Sequence, residues 1–270
     1  MAMSHHRSMP RTLADPRALP AAKRSRRGKS HALWFRAALA GTLVIVPVVG
    51  TILVSGAKSD PNSLVDREVA ALLAGIPQKG QTLGSPTAPV TLQVYAELED
   101  YSSRSWFLRW LPEILHEFVR TDRLKIEYRS FKTNTIGSEM FVKQQAAALA
   151  AGEQSKLWNF AYTFYSEQGI ERTPYVTESY LDKIARQVPA LDVERWDIDR
   201  GANQRVEQVV EEDQQGRAQG IHVTPAYRIG RTGGPLKAFD GSGSIVYPGQ
   251  VHATTYASAE DIAKAINQIR

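Results

Sequence analysis

Residues 90–98 read Val-Thr-Leu-Gln-Val-Tyr-Ala-Glu-Leu, and this stretch decides the fold class. Every second residue from Val90 to Leu98 is apolar, and more polar residues such as Thr91 and Gln93 lie between them. Successive side chains of a β-strand point to opposite faces of a sheet, so a period of two is typical of a strand. We therefore predict a strand over residues 90–98.

The pattern that follows this strand changes to a helical period. Apolar side chains recur at helical spacing from Trp106 to Phe118, with Pro112 as an interruption, and alternation returns over residues 124–128. A strand, a helix and a second strand of these lengths predict a parallel pair with a right-handed crossover.

The rest of the chain is mainly helical in pattern. We predict an early helix over residues 64–74 and a final helix that begins after Ser258, which is a plausible cap. Two short strands are predicted over residues 223–229 and 236–239. Between them and the first strand pair lies a helical block, with candidate helices over residues 139–151, 157–168, 177–188 and 203–219.

Several stretches within residues 74–270 resemble the DsbA-like thiol–disulfide oxidoreductases of bacterial envelopes, particularly their membrane-anchored members. In order, they read Gly75-Ile-Pro-Gln-Lys-Gly-Gln-Thr-Leu-Gly84, Ala88-Pro-Val-Thr-Leu92, Leu111-Pro112, Val119-Arg-Thr-Asp-Arg-Leu-Lys-Ile-Glu-Tyr-Arg129, Leu157-Trp-Asn-Phe160, Tyr175-Val-Thr-Glu-Ser-Tyr-Leu181 and Val223-Thr-Pro225. The resemblance implies an α/β, thioredoxin-like fold with an inserted helical subdomain.

The chain contains no cysteine, which excludes disulfides, thiolate metal ligands and cysteine nucleophiles. In the family that it resembles, the first strand leads into a Cys-x-x-Cys at the start of a helix. Counting back without a gap from residues 111–112 places Asp100 at the first cysteine and Ser103 at the second. We therefore expect Asp100, Tyr101, Ser102 and Ser103 to occupy the former redox site without its thiol chemistry.

The resemblance also places Thr224 and Pro225 in a loop with a cis peptide bond that faces this site. Trp106 falls in a helical segment and is a candidate core residue. Because it is so close to Asp100, it could also border a groove beside this site, together with His222 and Tyr227. A carboxylate at a helix N-terminus is stabilised by unpaired backbone N–H groups, so Asp100 is also a candidate helix cap.

Residues 37–57 form a run of 21 residues without a charge. A helix of this length is roughly 31 Å long, similar to the hydrocarbon core of a bilayer. Because the basic flank is N-terminal, we predict a single transmembrane signal-anchor with residues 58–270 in the cell envelope, outside the cytoplasm. Cleavage of this segment as a signal peptide after the small residues 55–57 is the alternative.

The net charge of +5 arises in the N-terminal tail, which contributes +8 and leaves −3 for residues 37–270. A mildly acidic domain argues against nucleic acid as a partner.

We predict a disordered basic cytoplasmic tail over residues 1–36, then the anchor, and then a linker with a short helix over residues 58–79. The thioredoxin-like domain follows over residues 80–270, with the helical insertion at about 138–219.

Three functions are compatible with these residues. The favoured one is a redox-inactive module that binds an extended polypeptide by strand addition, because that contact needs no sulfur. The second is an enzyme with non-thiol chemistry at Asp100, Ser102 and Ser103, with His222 as the base. The third is a structural subunit of a membrane complex. No cofactor and no metal is expected, because no His, Asp or Glu spacing resembles a ligand set.

Overall fold

The computed structural model describes residues 64–240 and 256–269, which form a six-stranded sheet flanked by helices. The sheet order is β1-β2-β4-β3-β5-β6. Strands β3 and β4 are parallel, as the sequence predicts, and the other neighbouring pairs are antiparallel. The strands are β1 (Gln78–Lys79), β2 (Thr82–Leu83), β3 (Val90–Ala96), β4 (Leu124–Ser130), β5 (Ala226–Arg231) and β6 (Lys237–Phe239).

Strand β3 is the centre of the sheet and is buried on both faces. Its polar-face residues Thr91 and Tyr95 are 4% and 2% exposed, although alternation alone would leave that face open to solvent. Helices cover both sides of a sheet in α/β folds, so both faces of a central strand are buried there, including the face that carries its more polar residues.

The segment between β3 and β4 is one continuous helical run. It consists of α2 (Tyr101–Ser105), a π-helical turn (Trp106–Trp110), α3 (Leu111–Ile114) and a second π-helical turn (Leu115–Val119). The sequence predicts an interruption at Pro112, but the helical run continues there. Pro112 lies at the start of α3, and the π-helical turn before it changes the local hydrogen-bond pattern.

The helical insertion contains one helix that periodicity did not predict. Helix α7 (Val193–Arg200) buries Trp196 as its only fully buried residue, so its sequence carries no amphipathic stripe. Asp192 caps it by accepting a hydrogen bond from the N–H of Arg195 at 3.1 Å. The other helices are α4 (Ser138–Glu153), α5 (Leu157–Ser166), α6 (Glu178–Gln187) and α8 (Asn203–Ala218), close to their predicted bounds.

Strand β5 begins at Ala226, directly after Pro225, whereas the sequence predicts a strand from residue 223. Proline has no N–H to donate to a neighbouring strand, which explains the later start.

The last helix, α9 (Ala259–Ile269), begins after Ser258 as predicted, and the Ser258 hydroxyl accepts a hydrogen bond from the N–H of Asp261 at 3.1 Å.

Helix α1 (Leu64–Leu73) and strand β1 both fall in the range 58–79 that the sequence predicts as a linker. Val69 and Leu73 are buried in the core, and Arg120 donates to the carbonyls of Leu72 and Ala74 at 2.8 Å. These contacts make the described part of that range an element of the domain.

The predicted tail and membrane anchor, residues 1–57, lie outside the described residues. Within 64–240 and 256–269, no helix is both long enough and apolar enough to cross a bilayer.

Candidate functional site

Three loops meet at one end of the sheet and enclose a cleft. The carboxyl ends of the parallel strands β3 and β4 lie at the same edge, and β5, which is antiparallel to β3, begins there. The cleft has a volume of about 910 Å³. It is lined by Asp100, Ser102, Lys132, Thr133, Asn134, Arg217, His222, Val223, Thr224, Pro225 and Tyr256.

The Asp100 carboxylate is at the centre of this site, and its oxygens are occupied by hydrogen bonds. Oδ2 accepts from the N–H and hydroxyl of Ser103, both at 2.7 Å, and from the Thr224 hydroxyl at 2.9 Å. Oδ1 accepts from the side-chain amide of Asn134 at 2.9 Å. Asp100 is only 3% exposed, so it caps α2 and ties three loops together. These four hydrogen bonds hold the carboxylate in a fixed orientation.

A second carboxylate occupies the same helix N-terminus. Glu171 lies close to Asp100 and to the backbone N–H of Tyr101. Burial raises the pKa of Glu171 most, the nearby Asp100 adds to the rise, and the proximity of the Tyr101 N–H opposes it. The partial positive charge that stabilises an anion at a helix start is therefore satisfied by this chain's own acids.

Glu97 holds the loop after β4 in place. Its carboxylate accepts from the backbone N–H groups of Thr133, Asn134 and Thr135 at 2.5–2.6 Å and from the Thr133 hydroxyl. Thr133 in turn contacts the Thr224 hydroxyl at 2.8 Å. This fully buried acid fixes the cleft wall, a role that sequence reasoning missed.

Glu99 is a buried acid of a different kind. It is 2% exposed, and its pKa is raised to about 7, mainly by burial and then by the negative charges of Glu97 and Glu171. Proximity of Thr135 opposes the rise. The run Glu97-Leu-Glu-Asp100 was a visible signal of this acid cluster, but the sequence gave no measure of how deeply each residue is buried.

The structure brings together most of the residues that the sequence proposed for the former redox site. Ser102 and His222 line the cleft, Tyr101 is 43% exposed beside it, and Ser103 is fully buried beneath Asp100. The Thr224–Pro225 peptide bond is cis, and Thr224 contacts Asp100 directly.

Trp106 and Tyr227 do not border the cleft, which corrects the expectation from sequence. Trp106 is 0% and Tyr227 is 2% exposed, and their ring centroids lie 5.7 Å apart in the core. The indole N–H of Trp106 donates to the carbonyl of Ala257 at 3.1 Å. Both rings point inward from the helix and the strand and pack between the sheet and the C-terminal segment.

Large apolar side chains are exposed around the cleft, which the sequence did not reveal. Val223 and Tyr256 line the cleft and are 48% and 38% exposed. Tyr101, which lies between the lining residues Asp100 and Ser102 in sequence, is 43% exposed. Clusters of exposed apolar groups beside a cleft are typical of binding surfaces. We call these three residues the apolar rim.

Val223 also has a free backbone beside the cleft. Neither its N–H nor its C=O is hydrogen-bonded to another residue in the described ranges. It precedes Thr224 and lies outside β5, so an incoming chain could pair with it.

The positions of Ser102, Ser103 and His222 bear on the enzyme alternative. No hydrogen bond joins Ser102 to His222 in the part of the chain that the structure describes, and Ser103 donates to Asp100 instead of to a histidine. The same part of the chain holds no group of three or more His, Asp or Glu residues arranged as metal ligands.

A family model described as thioredoxin matches residues 78–233 of this chain. Among curated proteins, the probable disulfide bond formation protein D of Bacillus anthracis is 25% identical over 148 residues, covering 54% of this chain and 66% of the relative. The protein of the same name from Bacillus cereus is 24% identical, covering 54% and 67%. The match thus spans just under two thirds of the first relative's length.

Solved structures show the same fold at lower identity. BdbD from Bacillus subtilis, in its oxidised form, superposes with a TM-score of 0.55 at 15% identity, covering 71% of this chain and 97% of BdbD. Wolbachia pipientis alpha-DsbA1 superposes with a TM-score of 0.53 at 17% identity, covering 73% and 92%. These similarities show a DsbA-like thioredoxin fold.

Proposed function

This chain belongs to the thioredoxin family, and we propose that it is a redox-inactive member that binds an extended polypeptide in the cleft between α2 and the Thr224–Pro225 loop. Thiol–disulfide exchange requires a thiolate, and the sequence has no cysteine. The fold alone therefore does not carry over the oxidoreductase activity named for its relatives.

The free backbone of Val223 is the observation that carries this proposal. An extended peptide that pairs with an unpaired strand-like segment gains backbone hydrogen bonds whatever its sequence. The apolar rim supplies contacts for side chains of such a peptide. The Asp100, Thr224 and Glu97 hydrogen bonds hold both walls of the cleft in place, which lowers the entropic cost of ordering a binding site.

Site-specific photo-crosslinking tests this proposal. A photoreactive amino acid at Val223 should label an unfolded polypeptide whose cysteines are carboxymethylated, and label the same protein much less when it is folded. The matched control places the group at Ile198, which is 75% exposed on α7 and remote in sequence from the cleft loops. Equal labelling from both positions, or equal labelling of folded and unfolded probe, would refute polypeptide binding at the cleft.

We also propose that residues 37–57 anchor the protein in a membrane with the domain outside the cytoplasm. The long uncharged run and its basic N-terminal flank support this orientation. Because the chain lacks cysteine, single-cysteine variants test this orientation without labelling of native thiols in the protein. In intact cells, a membrane-impermeant maleimide should label Ile198→Cys and leave Ser25→Cys unlabelled until the cells are lysed. The reverse pattern would contradict the orientation. The role as a structural subunit of a membrane complex stays a prediction.

A further inference from the structure

The cleft lining carries more basic than acidic side chains. Lys132, Arg217 and His222 line it together with one acid, Asp100. The Asp100 carboxylate is occupied by four hydrogen bonds from the described residues and is 3% exposed. Lys132 and Arg217 are the lysine and arginine side chains of this lining.

Arg217 is already paired. Its guanidinium donates to both carboxylate oxygens of Asp213, at 2.8 and 3.0 Å, and lies over the ring of Phe131 at 4.9 Å. It also donates to the backbone carbonyl of Lys132 at 3.1 Å. Arg217 thus helps to fix the wall, and its charge is largely compensated by Asp213.

Lys132 is different because its backbone is hydrogen-bonded while its ammonium group has no carboxylate partner among the described residues. Its N–H donates to Asp213 at 2.9 Å, and its carbonyl accepts from Arg217. The side-chain Nζ has no carboxylate partner in the ranges that the structure describes. The next residue, Thr133, contacts Thr224 at 2.8 Å, and Lys132 and Val223 line the same cleft.

From this arrangement we propose that the cleft selects polypeptide segments that carry a carboxylate, which pairs with the Lys132 ammonium. This inference rests on the proposed function and names the substrate class of the same site. A chain that pairs with Val223 lies in the cleft that Lys132 also lines, and a lysine at a partly buried wall gains more from an anion than one in open solvent. An acidic side chain and a free chain terminus offer the same carboxylate chemistry.

Fluorescence anisotropy with the purified full-length protein tests the proposal. The probe is an acetylated and amidated fluorescent octapeptide of Ser, Thr and Val with a central Glu, compared with the same peptide carrying Gln or Lys. A fourth peptide keeps the Gln but ends in a free carboxylate, which separates a side chain from a terminus as the preferred group. We expect the Glu peptide to bind about fivefold more tightly than the Gln peptide at low salt, and the Lys peptide to bind more weakly than both.

The variant Lys132→Gln should reduce the ratio of Glu to Gln affinity to about one. The control is Lys79→Gln, an exposed lysine in β1 at the far edge of the sheet, which should keep the ratio. The preference should also weaken as salt rises, since exposed ion pairs are screened.

Distinct results separate the failure of this inference from the failure of the proposed function. Equal binding of the Glu, Gln and Lys peptides overturns the carboxylate selectivity, and a preference that survives Lys132→Gln overturns its assignment to Lys132; both results leave polypeptide binding in place. Absence of binding by every peptide overturns both.

Discussion

The buried carboxyl of Glu99 makes the stability of this domain depend on pH in a specific direction. Replacing it by glutamine keeps the shape of the protonated acid and removes its titration. In the folded chain the pKa of Glu99 is about 7, against 4.5 for an ordinary glutamate, because burial and the charges of Glu97 and Glu171 disfavour ionisation. The unfolded chain ionises this group near pH 4.5.

The direction of the pH dependence of stability follows from these two pKa values of Glu99. Below pH 4.5 the group is protonated in both states and has no net effect relative to glutamine. As pH rises from 4.5 through 7, the unfolded chain releases the proton first, so the folded state loses stability relative to it. The difference between the two pKa values corresponds to roughly 3 kcal/mol of unfolding free energy, reached above pH 7.

We therefore expect Glu99→Gln to match the wild type near pH 4.5 and to exceed it by roughly 3 kcal/mol at pH 8. Urea unfolding at several pH values, followed by the fluorescence of the buried Trp106 and Trp158, measures the difference. The control is Glu113→Gln, since Glu113 is exposed in α3 and should show no such pH-dependent gain. A Gln variant that is less stable than wild type at pH 8, or a difference that does not change with pH, would refute the reasoning.

Three further predictions follow from the same region. Asp100→Ala removes the acceptor of four hydrogen bonds within the described site and should lower the free energy of unfolding by about 2–4 kcal/mol in urea titrations; a loss below about 0.5 kcal/mol would contradict the bridging role. Asp100→Cys with Ser103→Cys should form a disulfide that blocks maleimide labelling of the protein unfolded in denaturant, because the two side chains meet at 2.7 Å, whereas Asp100→Cys with Ser102→Cys should not; a pair that stays reduced under oxidising conditions would contradict the alignment. Gly216→Ala should lower the unfolding free energy by about 1–3 kcal/mol, because the new Cβ would lie 2.6 Å from Phe131; an unchanged urea midpoint would contradict this close packing.

Local periodicity determined most of the secondary structure in the part of the chain described. The alternation after Val90 and the helical spacing after Trp106 depend only on which face of an element is buried, and that property is written in neighbouring residues. Helix α7 escaped prediction because Trp196 alone anchors it, which gives no repeat to detect. The absence of cysteine is likewise a fact of composition, and it excludes thiol chemistry before any coordinates are considered.

The site was decided by contacts between residues far apart in sequence. Asp100 could be identified from the sequence as a helix cap, but Thr224 and Asn134, which complete its hydrogen bonding, lie 124 and 34 residues away. The direction of a side chain also depends on the packed fold, which is why Trp106 and Tyr227 lie in the core and not at the cleft. Charge compensation depends on distance and burial. Only the tertiary structure therefore distinguishes the guanidinium of Arg217, which pairs with Asp213, from the ammonium of Lys132, which has no carboxylate partner in the described part of the chain. The raised pKa of Glu99 likewise depends on its burial in the fold.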